Sequence, residues 1–152
     1  MKASKENIIK EFSKYKNTEI PYDEIDEGIR EFIKELNKSN HITTIYCCEG
    51  HKDMDWAYLY FNVSDKGWDI FWGNLLPELL SELKENDLIS LTKMFIVDVT
   101  ANEWNSGITI HRRLSTDVFQ LEDGEVIETN WEAKKKLFWE LMETLFLKYY
   151  KN

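Results

Sequence analysis

A chain of 152 residues, of which 43% are hydrophobic and 14% aromatic, is long enough to bury a core of its own, which excludes a disordered protein. Its formal net charge is −9, and residues 41–91 alone hold three lysines against nine acidic residues, so nucleic acid is disfavoured as a partner. No apolar run approaches the ~20 residues of a membrane span, and residues 1–6 lack the apolar core of a signal peptide. We therefore expect a cytoplasmic protein with reduced cysteines and no membrane contact.

The first half of the chain predicts two helices and two strands. Apolar residues at helical spacing after Ser4 indicate the first helix, and an apolar stripe over residues 25–36 indicates the second. Residues 43–46 are β-branched and aromatic, which predicts a strand. Alternation over residues 57–63 predicts a second, half-buried strand. The Cys-Cys-Glu-Gly-His segment at residues 47–51 is then expected to be the loop between them.

The pattern of residues 64–114 predicts a third helix and another strand pair. Residues 64–67 are expected to turn the chain, and the leucines of residues 76–83 indicate a helix after that turn. Strands are predicted at residues 94–100 and 108–114. The polar residues 101–107 join these two strands as a loop.

The C-terminal part predicts a small hairpin and a long helix. The Asp-Gly pair at residues 123–124 indicates a hairpin turn between short strands at residues 118–121 and 125–127. Thr129 and Glu132 have the spacing of a capping box for the last helix.

Together these elements predict one α+β domain over residues 1–152, in the order α-α-β-β-α-β-β-(ββ)-α. Because short loops join the strand pairs, we expect a largely antiparallel sheet with helices packed on one face. Loops at one end of a sheet often converge into a site. The loops of residues 47–51 and 101–107 are therefore predicted to lie at the same end.

The loop of residues 47–51 has several chemical interpretations. Gly50 is expected to adopt a backbone conformation that other residues avoid, and such a bend exposes N–H groups for a phosphate or carboxylate, although plain turns share it. Cys47, Cys48 and His51 are an alternative metal-ligand set, but adjacent cysteines point to opposite sides of a strand end, so no metal and no cofactor are predicted. His51 could stabilise the thiolate of Cys47 or Cys48 and so activate a nucleophile, whereas the negative charge of Glu49 opposes this. The simpler interpretation is that at least one of the two cysteines is a small buried residue.

Aromatic and basic residues near the two loops suggest a ligand. Trp56 and Trp104 are candidates for stacking on a base, although tryptophan is more often a core or rim residue. Arg112 and Arg113 point to opposite faces, so at most one can contact a phosphate, and a surface salt bridge is the commoner role. No catalytic residue is predicted. The predicted ligand-binding residues are Thr44, Cys48, Glu49, Gly50, His51, Trp56, Trp104, Asn105, Ser106, His111 and Arg113.

The pattern over residues 25–63 carries a resemblance. Ile-Asp-Glu-Gly-Ile at residues 25–29 begins a helix that ends in Leu-Asn, and Thr-Thr-Ile-Tyr-Cys-Cys-Glu-Gly-His follows at residues 43–51. This resembles small proteins of Firmicutes and their phages that carry a Ser/Cys-Cys-x-Gly-His loop after such a helix. It is also similar, more distantly, to the wybutosine-synthesis methyltransferases, which modify a tRNA guanosine using S-adenosylmethionine. Those enzymes have Thr-Thr-Ser-Ser-Cys-Ser-Gly-Arg there and a later Ser-Gly-Ile, matched here at residues 106–108.

The chain departs from the methyltransferase pattern at several positions, and these departures argue against methyl transfer to tRNA. Tyr46 and Cys47 replace Ser-Ser, Glu49 replaces Ser, His51 replaces Arg, and the acidic charge is wrong for a tRNA enzyme. The resemblance then implies a phage-type protein of the host cytoplasm that sequesters a nucleotide-derived small molecule without turnover, as a counter-defence function. The alternatives are a small nucleotide-modifying enzyme with Glu49 or His51 as base, and an acidic protein-binding inhibitor. The sequence is compatible with a homo-oligomer.

Overall fold

Four strands of the described residues form one sheet, and their spatial order differs from their order in the chain. The structure, a computed structural model, describes residues 2–51, 56–86, 95–101, 105–112 and 124–152. Its strands are β1 (Ile42–Cys48), β2 (Trp56–Val63), β3 (Phe95–Ala101) and β4 (Ser106–Arg112). They lie in the order β1-β2-β4-β3, and each neighbouring pair is antiparallel. The predicted antiparallel sheet is confirmed.

The connection from β2 to β3 crosses over the sheet. Because β2 and β3 are both antiparallel to β4, they run parallel to each other with β4 between them. Parallel strands cannot be joined by a tight turn, so a helical segment returns the chain to the end where β2 began. This is a split β-α-β arrangement, with β1 added at the outer edge of β2.

Helices precede, interrupt and follow the strands. Before the sheet come α1 (Lys2–Lys16), a short 3₁₀ turn (Tyr22–Glu24) and α2 (Glu27–Leu36). The crossover contains α3 (Asp65–Ile70), a π-helical turn (Phe71–Leu75) and α4 (Leu76–Glu85), and the chain ends with α5 (Gly124–Tyr150). None of the helices within the described ranges offers a stretch apolar enough, over a sufficient length, to cross a membrane.

Ser64 begins the crossover helix. Its Oγ accepts a hydrogen bond from the N–H of Gly67 at 3.0 Å, which is the role of an N-cap serine. The same Oγ lies 2.8 Å from Nδ1 of His41, at the start of the sheet. The turn predicted at residues 64–67 is therefore wrong, because a serine that satisfies the free N–H groups of a first turn starts a helix instead of reversing the chain.

The core lies between one face of the sheet and the helices. β2 alternates as predicted over residues 57–61, since Ala57, Leu59 and Phe61 are fully buried while Tyr58 and Tyr60 are partly exposed, but Asn62, predicted on the exposed side, is buried. Full burial of such an apolar side chain stabilises the fold by about 1.5–3 kcal/mol. The chain thus forms the single α+β domain that the sequence predicts. Other buried residues of this core are Ile29, Phe32, Ile33 and Leu36 of α2, Ile108 and Ile110 of β4, and Phe138, Met142 and Phe146 of α5.

The predicted C-terminal hairpin is wrong. Residues 125–127 belong to α5, which begins at Gly124, while residues 118–121 lie outside the described residues. Aspartate is a favoured residue directly before a helix, so an Asp-Gly pair fits a helix start as well as a hairpin turn. The capping box is wrong for the same reason, because Thr129 lies within α5 and does not precede it.

Candidate functional site

The two polar loops lie at opposite ends of the sheet. Cys48, at the end of β1, pairs with Tyr58 near the start of β2, whereas Ser106, at the start of β4, pairs with Phe61 near its end. The start and end of β2 are separated by about 3.3 Å per residue. The prediction of one shared site is therefore wrong. The crossover makes β3 parallel to β2, and this places the β3–β4 connection at the far end of the sheet.

Cys47 and Cys48 are strand residues and not loop residues. Cys47 pairs with Leu59 and packs against the core, while Cys48 pairs with Tyr58 and so points to the opposite face. Neither cysteine forms a disulfide. The alternative ligand set of Cys47, Cys48 and His51 is therefore not assembled, because the pleat of the strand separates the two thiols.

The side chain of Asp26 lies beside the end of β1, a contact that the sequence does not predict. The potential ligand atoms of Asp26, Cys48 and His51 all lie within 4.8 Å of one another, and we call these three residues the strand-end cluster. Oδ1 of Asp26 is 3.3 Å from Nε2 of His51, and Oδ2 accepts a hydrogen bond from the N–H of Glu49 at 2.9 Å. Asp26 occupies the N-cap position of α2, yet its side chain caps no N–H of that helix. Its carboxylate is turned to the loop instead.

The strand-end loop, residues 49–51, is held by α5. Trp139 Nε1–H donates to the carbonyl of Glu49 at 3.0 Å, and Lys135 Nζ donates to the carbonyls of Gly50 at 2.9 Å and His51 at 3.3 Å. Gly50 has a φ of 85°, which confirms the predicted conformation. These contacts tie the backbone of the loop to α5.

The expected cradle of free N–H groups is only partly available. The N–H of Glu49 is already bound by the carboxylate of Asp26, so it is not free to bind an external anion. At the Glu49 position of the predicted cradle, the protein therefore supplies its own carboxylate.

The two thiols are not activated. Burial first, and then the nearby negative charge of Asp26, together raise the pKa of Cys47 to about 11. Burial also raises the pKa of Cys48, and this outweighs the hydrogen bond from the backbone of Gly50 that lowers it. A protonated thiol is a poor nucleophile. The end of β1 therefore does not present a reactive cysteine.

A groove of about 380 Å³ lies between the strand-end loop, α2 and α5. Its size is within the range of small-molecule sites. Gly28 forms part of its wall, and a side chain at that position would overlap the carboxylate of Glu49. Four glutamates and two lysines line the groove, which disfavours a ligand with several phosphates. The lining residues are Gly28, Ile29, Phe32, Glu49, Gly50, Glu132, Lys135, Lys136, Trp139, Glu140 and Glu143.

The face of the sheet opposite the buried face of β2 carries an aromatic surface. Tyr46 is 61% exposed and Trp56 is 46% exposed, while Tyr58 and Tyr60 pack edge to face with ring centroids 5.5 Å apart. Tyr46 pairs with Tyr60 across the strands, so these rings share one side of the sheet. Gly107 of β4 makes room for them, because a side chain there would overlap the ring of Tyr60. We call the four aromatic residues the aromatic face.

Other predicted site residues lie elsewhere or have structural roles. Thr44 is tied to α2, since its N–H donates to Asn37 Oδ1 at 2.9 Å and its Oγ1 accepts from Asn37 Nδ2 at 2.8 Å. Ser106 is buried opposite Phe61 at the far end of the sheet, where Asn105 precedes it.

His111 is placed by its backbone, and two other predicted residues are not described. The backbone of His111 pairs with that of Trp56, at the edge of the aromatic face. Trp104 and Arg113 lie outside the described residues.

Comparison with known proteins does not assign the chain to a family. No family model, no curated protein and no solved structure matches the chain.

Proposed function

We propose that the protein binds a nucleotide-derived small molecule and sequesters it without turnover, as a phage-type counter-defence protein of the host cytoplasm. The observation that carries this proposal is the aromatic face, with Tyr46 61% and Trp56 46% exposed on hydrogen-bonded strands. Every nucleobase has a π-face, and stacking on an aromatic side chain contributes about 1–3 kcal/mol per base. An exposed cluster of rings on a sheet is therefore a suitable surface for a base.

The aromatic face suits a nucleotide better than the groove does. The groove contains four glutamates, whereas none of the four aromatic residues carries a negative charge at neutral pH. Thr109 pairs with Tyr58 and is half-buried, which supplies a hydroxyl beside the rings. Trp56 also begins β2 within residues 25–63, the segment that carries the resemblance to phage proteins. These features support stacking, with a polar contact to fix the orientation of the base.

Binding without turnover agrees with the chemistry beside this surface. Catalysis needs a base or a nucleophile whose pKa suits the reaction. Cys48, which pairs with Tyr58, is buried, and burial raises the pKa of its thiol. The thiol nearest in register to the rings is thus in its unreactive form at neutral pH.

Calorimetric titration with a panel of cyclic and ADP-ribose-type nucleotides tests the proposal. We expect Trp56→Ala and Tyr46→Ala each to lower the affinity about ten- to a hundred-fold, because each removes a stacking ring. Tyr46→Phe keeps the ring and is expected to retain the affinity. Leu80→Ala changes an exposed apolar residue on α4 and serves as the control outside the aromatic face.

Three experimental results would contradict the proposed function or the proposed binding surface. Recovery of a chemically altered nucleotide after incubation would place the protein among enzymes. No heat with any member of the panel, together with no nucleotide released from the purified protein, would contradict the proposal. Binding that persists in both alanine variants would place the ligand away from the aromatic face.

A further inference from the structure

We propose that the strand-end cluster is a zinc site, in which the carboxylate of Asp26, the sulfur of Cys48 and the imidazole of His51 are the protein ligands. This proposal is independent of nucleotide binding, because it concerns different side chains and a different ligand. It also differs from the set that the sequence suggested, since Asp26 takes the place that Cys47 would have had.

The separations between the donor atoms agree with tetrahedral coordination. Zinc lies about 2.0–2.1 Å from oxygen and nitrogen donors and about 2.3 Å from sulfur, so a tetrahedral oxygen–nitrogen edge is about 3.4 Å long. Oδ1 of Asp26 and Nε2 of His51 are 3.3 Å apart. The sulfur of Cys48 completes a set in which all separations are within 4.8 Å. A tetrahedral edge from sulfur to oxygen or nitrogen is about 3.6 Å long, so the separations of the Cys48 sulfur from the other two donors need to shorten by at most about 1.2 Å.

Hydrogen bonds from outside the cluster orient its ligands. The N–H of Glu49 binds Oδ2 of Asp26, which leaves Oδ1 directed at His51. The backbone between Cys48 and His51 is held at its carbonyls by Trp139 and Lys135 from α5. Such outer contacts orient metal ligands and raise affinity in known zinc sites. The cluster is thus held in place by the fold and does not depend on an ion to assemble.

The donor types and the exposure of the cluster favour zinc with one open position. A mixed set of sulfur, nitrogen and oxygen donors suits zinc, whereas calcium and magnesium prefer oxygen alone. Cys48 is buried, but the side chain of His51 is 59% exposed, so the cluster is open to solvent at His51. Three protein ligands and one open position are the arrangement of zinc sites that bind a water or an external ligand.

Titration of the full-length, reduced and chelator-treated protein with Zn²⁺ alone and with Co²⁺ alone tests this site. We expect one ion per chain and, for cobalt, the charge-transfer absorption of a thiolate ligand. Cys48→Ser should abolish that absorption. Asp26→Asn and His51→Ala should each weaken zinc binding by more than about 100-fold, because loss of an outer-shell contact alone costs 10–100-fold.

Cys47→Ser is the matched control, since it removes the neighbouring thiol on the other side of the strand and should leave both the cobalt absorption and the zinc affinity unchanged. Circular dichroism verifies that each variant is folded, and His51→Ala, at an exposed position, decides the case if Cys48→Ser is unfolded. Absence of thiolate absorption in the wild-type protein would overturn the proposal. Equal zinc affinities in the wild type and His51→Ala would also overturn it.

Discussion

Lys135 Nζ donates a hydrogen bond to the carbonyl of Gly50 at 2.9 Å, although the two residues are 85 positions apart in the sequence. Lys135 is only 3% exposed, and its ammonium also lies 3.0 Å from Oε1 of Glu132. A buried charge is tolerated when it is paired and hydrogen-bonded, as here. The contact ties the last helix to the end of the first hairpin.

Removal of this ammonium should destabilise the protein. Lys135→Met keeps an apolar stem but leaves the carbonyl of Gly50 and the carboxylate of Glu132 without their cation, so we expect the free energy of unfolding to fall by about 2–4 kcal/mol. Urea denaturation measures the change. Lys136→Met alters the next, exposed lysine of α5 and should change stability by less than about 0.5 kcal/mol. Similar losses in both variants would argue against the contact.

A side chain at position 107 should disturb the aromatic face. Gly107→Ala would overlap the ring of Tyr60, and we expect a loss of about 1–3 kcal/mol in the free energy of unfolding. The loss should disappear in a Tyr60→Ala background, which a double-mutant cycle measures. Gly73→Ala, where an added Cβ meets no atom within 4 Å, should instead stabilise the helix by about 0.5–1 kcal/mol. A cost at position 107 that persists without the tyrosine ring would contradict this.

Stability should fall at high pH in part through Cys47. Folding raises the pKa of this thiol from 9.0 to about 11, so the folded state retains a proton that the unfolded state loses between those values. The stabilisation is therefore complete below pH 9 and is lost as the pH rises through 11, by up to about 2 kcal/mol. Unfolding measured at pH 8 and pH 10.5 should show a smaller decline for Cys47→Ser than for the wild type. Parallel declines would exclude this thiol as a cause.

Thr44 should contribute to stability and not to ligand binding. Thr44→Val removes the hydrogen bond from Asn37 Nδ2 but keeps the backbone N–H, so we expect a loss of about 1 kcal/mol. Asn37→Ala removes both contacts with Thr44 and should cost more. Thermal or urea unfolding compares the two variants, and nucleotide titration of Thr44→Val should match the wild type. A lower affinity in Thr44→Val would return this residue to the binding site.

Local patterns were sufficient to predict several features of the fold. The alternation of β2 is visible because buried and exposed positions differ in polarity at a period of two, and Tyr58 and Tyr60 were correctly separated from Leu59 and Phe61. The positive φ of Gly50 was also predictable, because a single glycine between a strand and a polar bend has few other roles.

Contacts between distant segments could not be predicted from local patterns. Asp26 resembles any N-cap residue, and only the tertiary fold turns its carboxylate toward Glu49 and His51. The relative placement of the two hairpins depends on a crossover that reverses direction, and no residue within either hairpin encodes it. Ser64 was misinterpreted because a serine before an aspartate is equally common in turns and at helix starts.

The position of β4 between β2 and β3 sets an order of events for a newly made chain. β1 and β2 are neighbours in sequence and can pair as soon as Val63 has left the ribosome, but the other edge of β2 has no partner until residues 106–112 follow. A bare strand edge pairs readily with other chains. A chain cut short between β2 and β4 would therefore present that edge to its neighbours, and we expect such fragments to aggregate in the cell and not to fold.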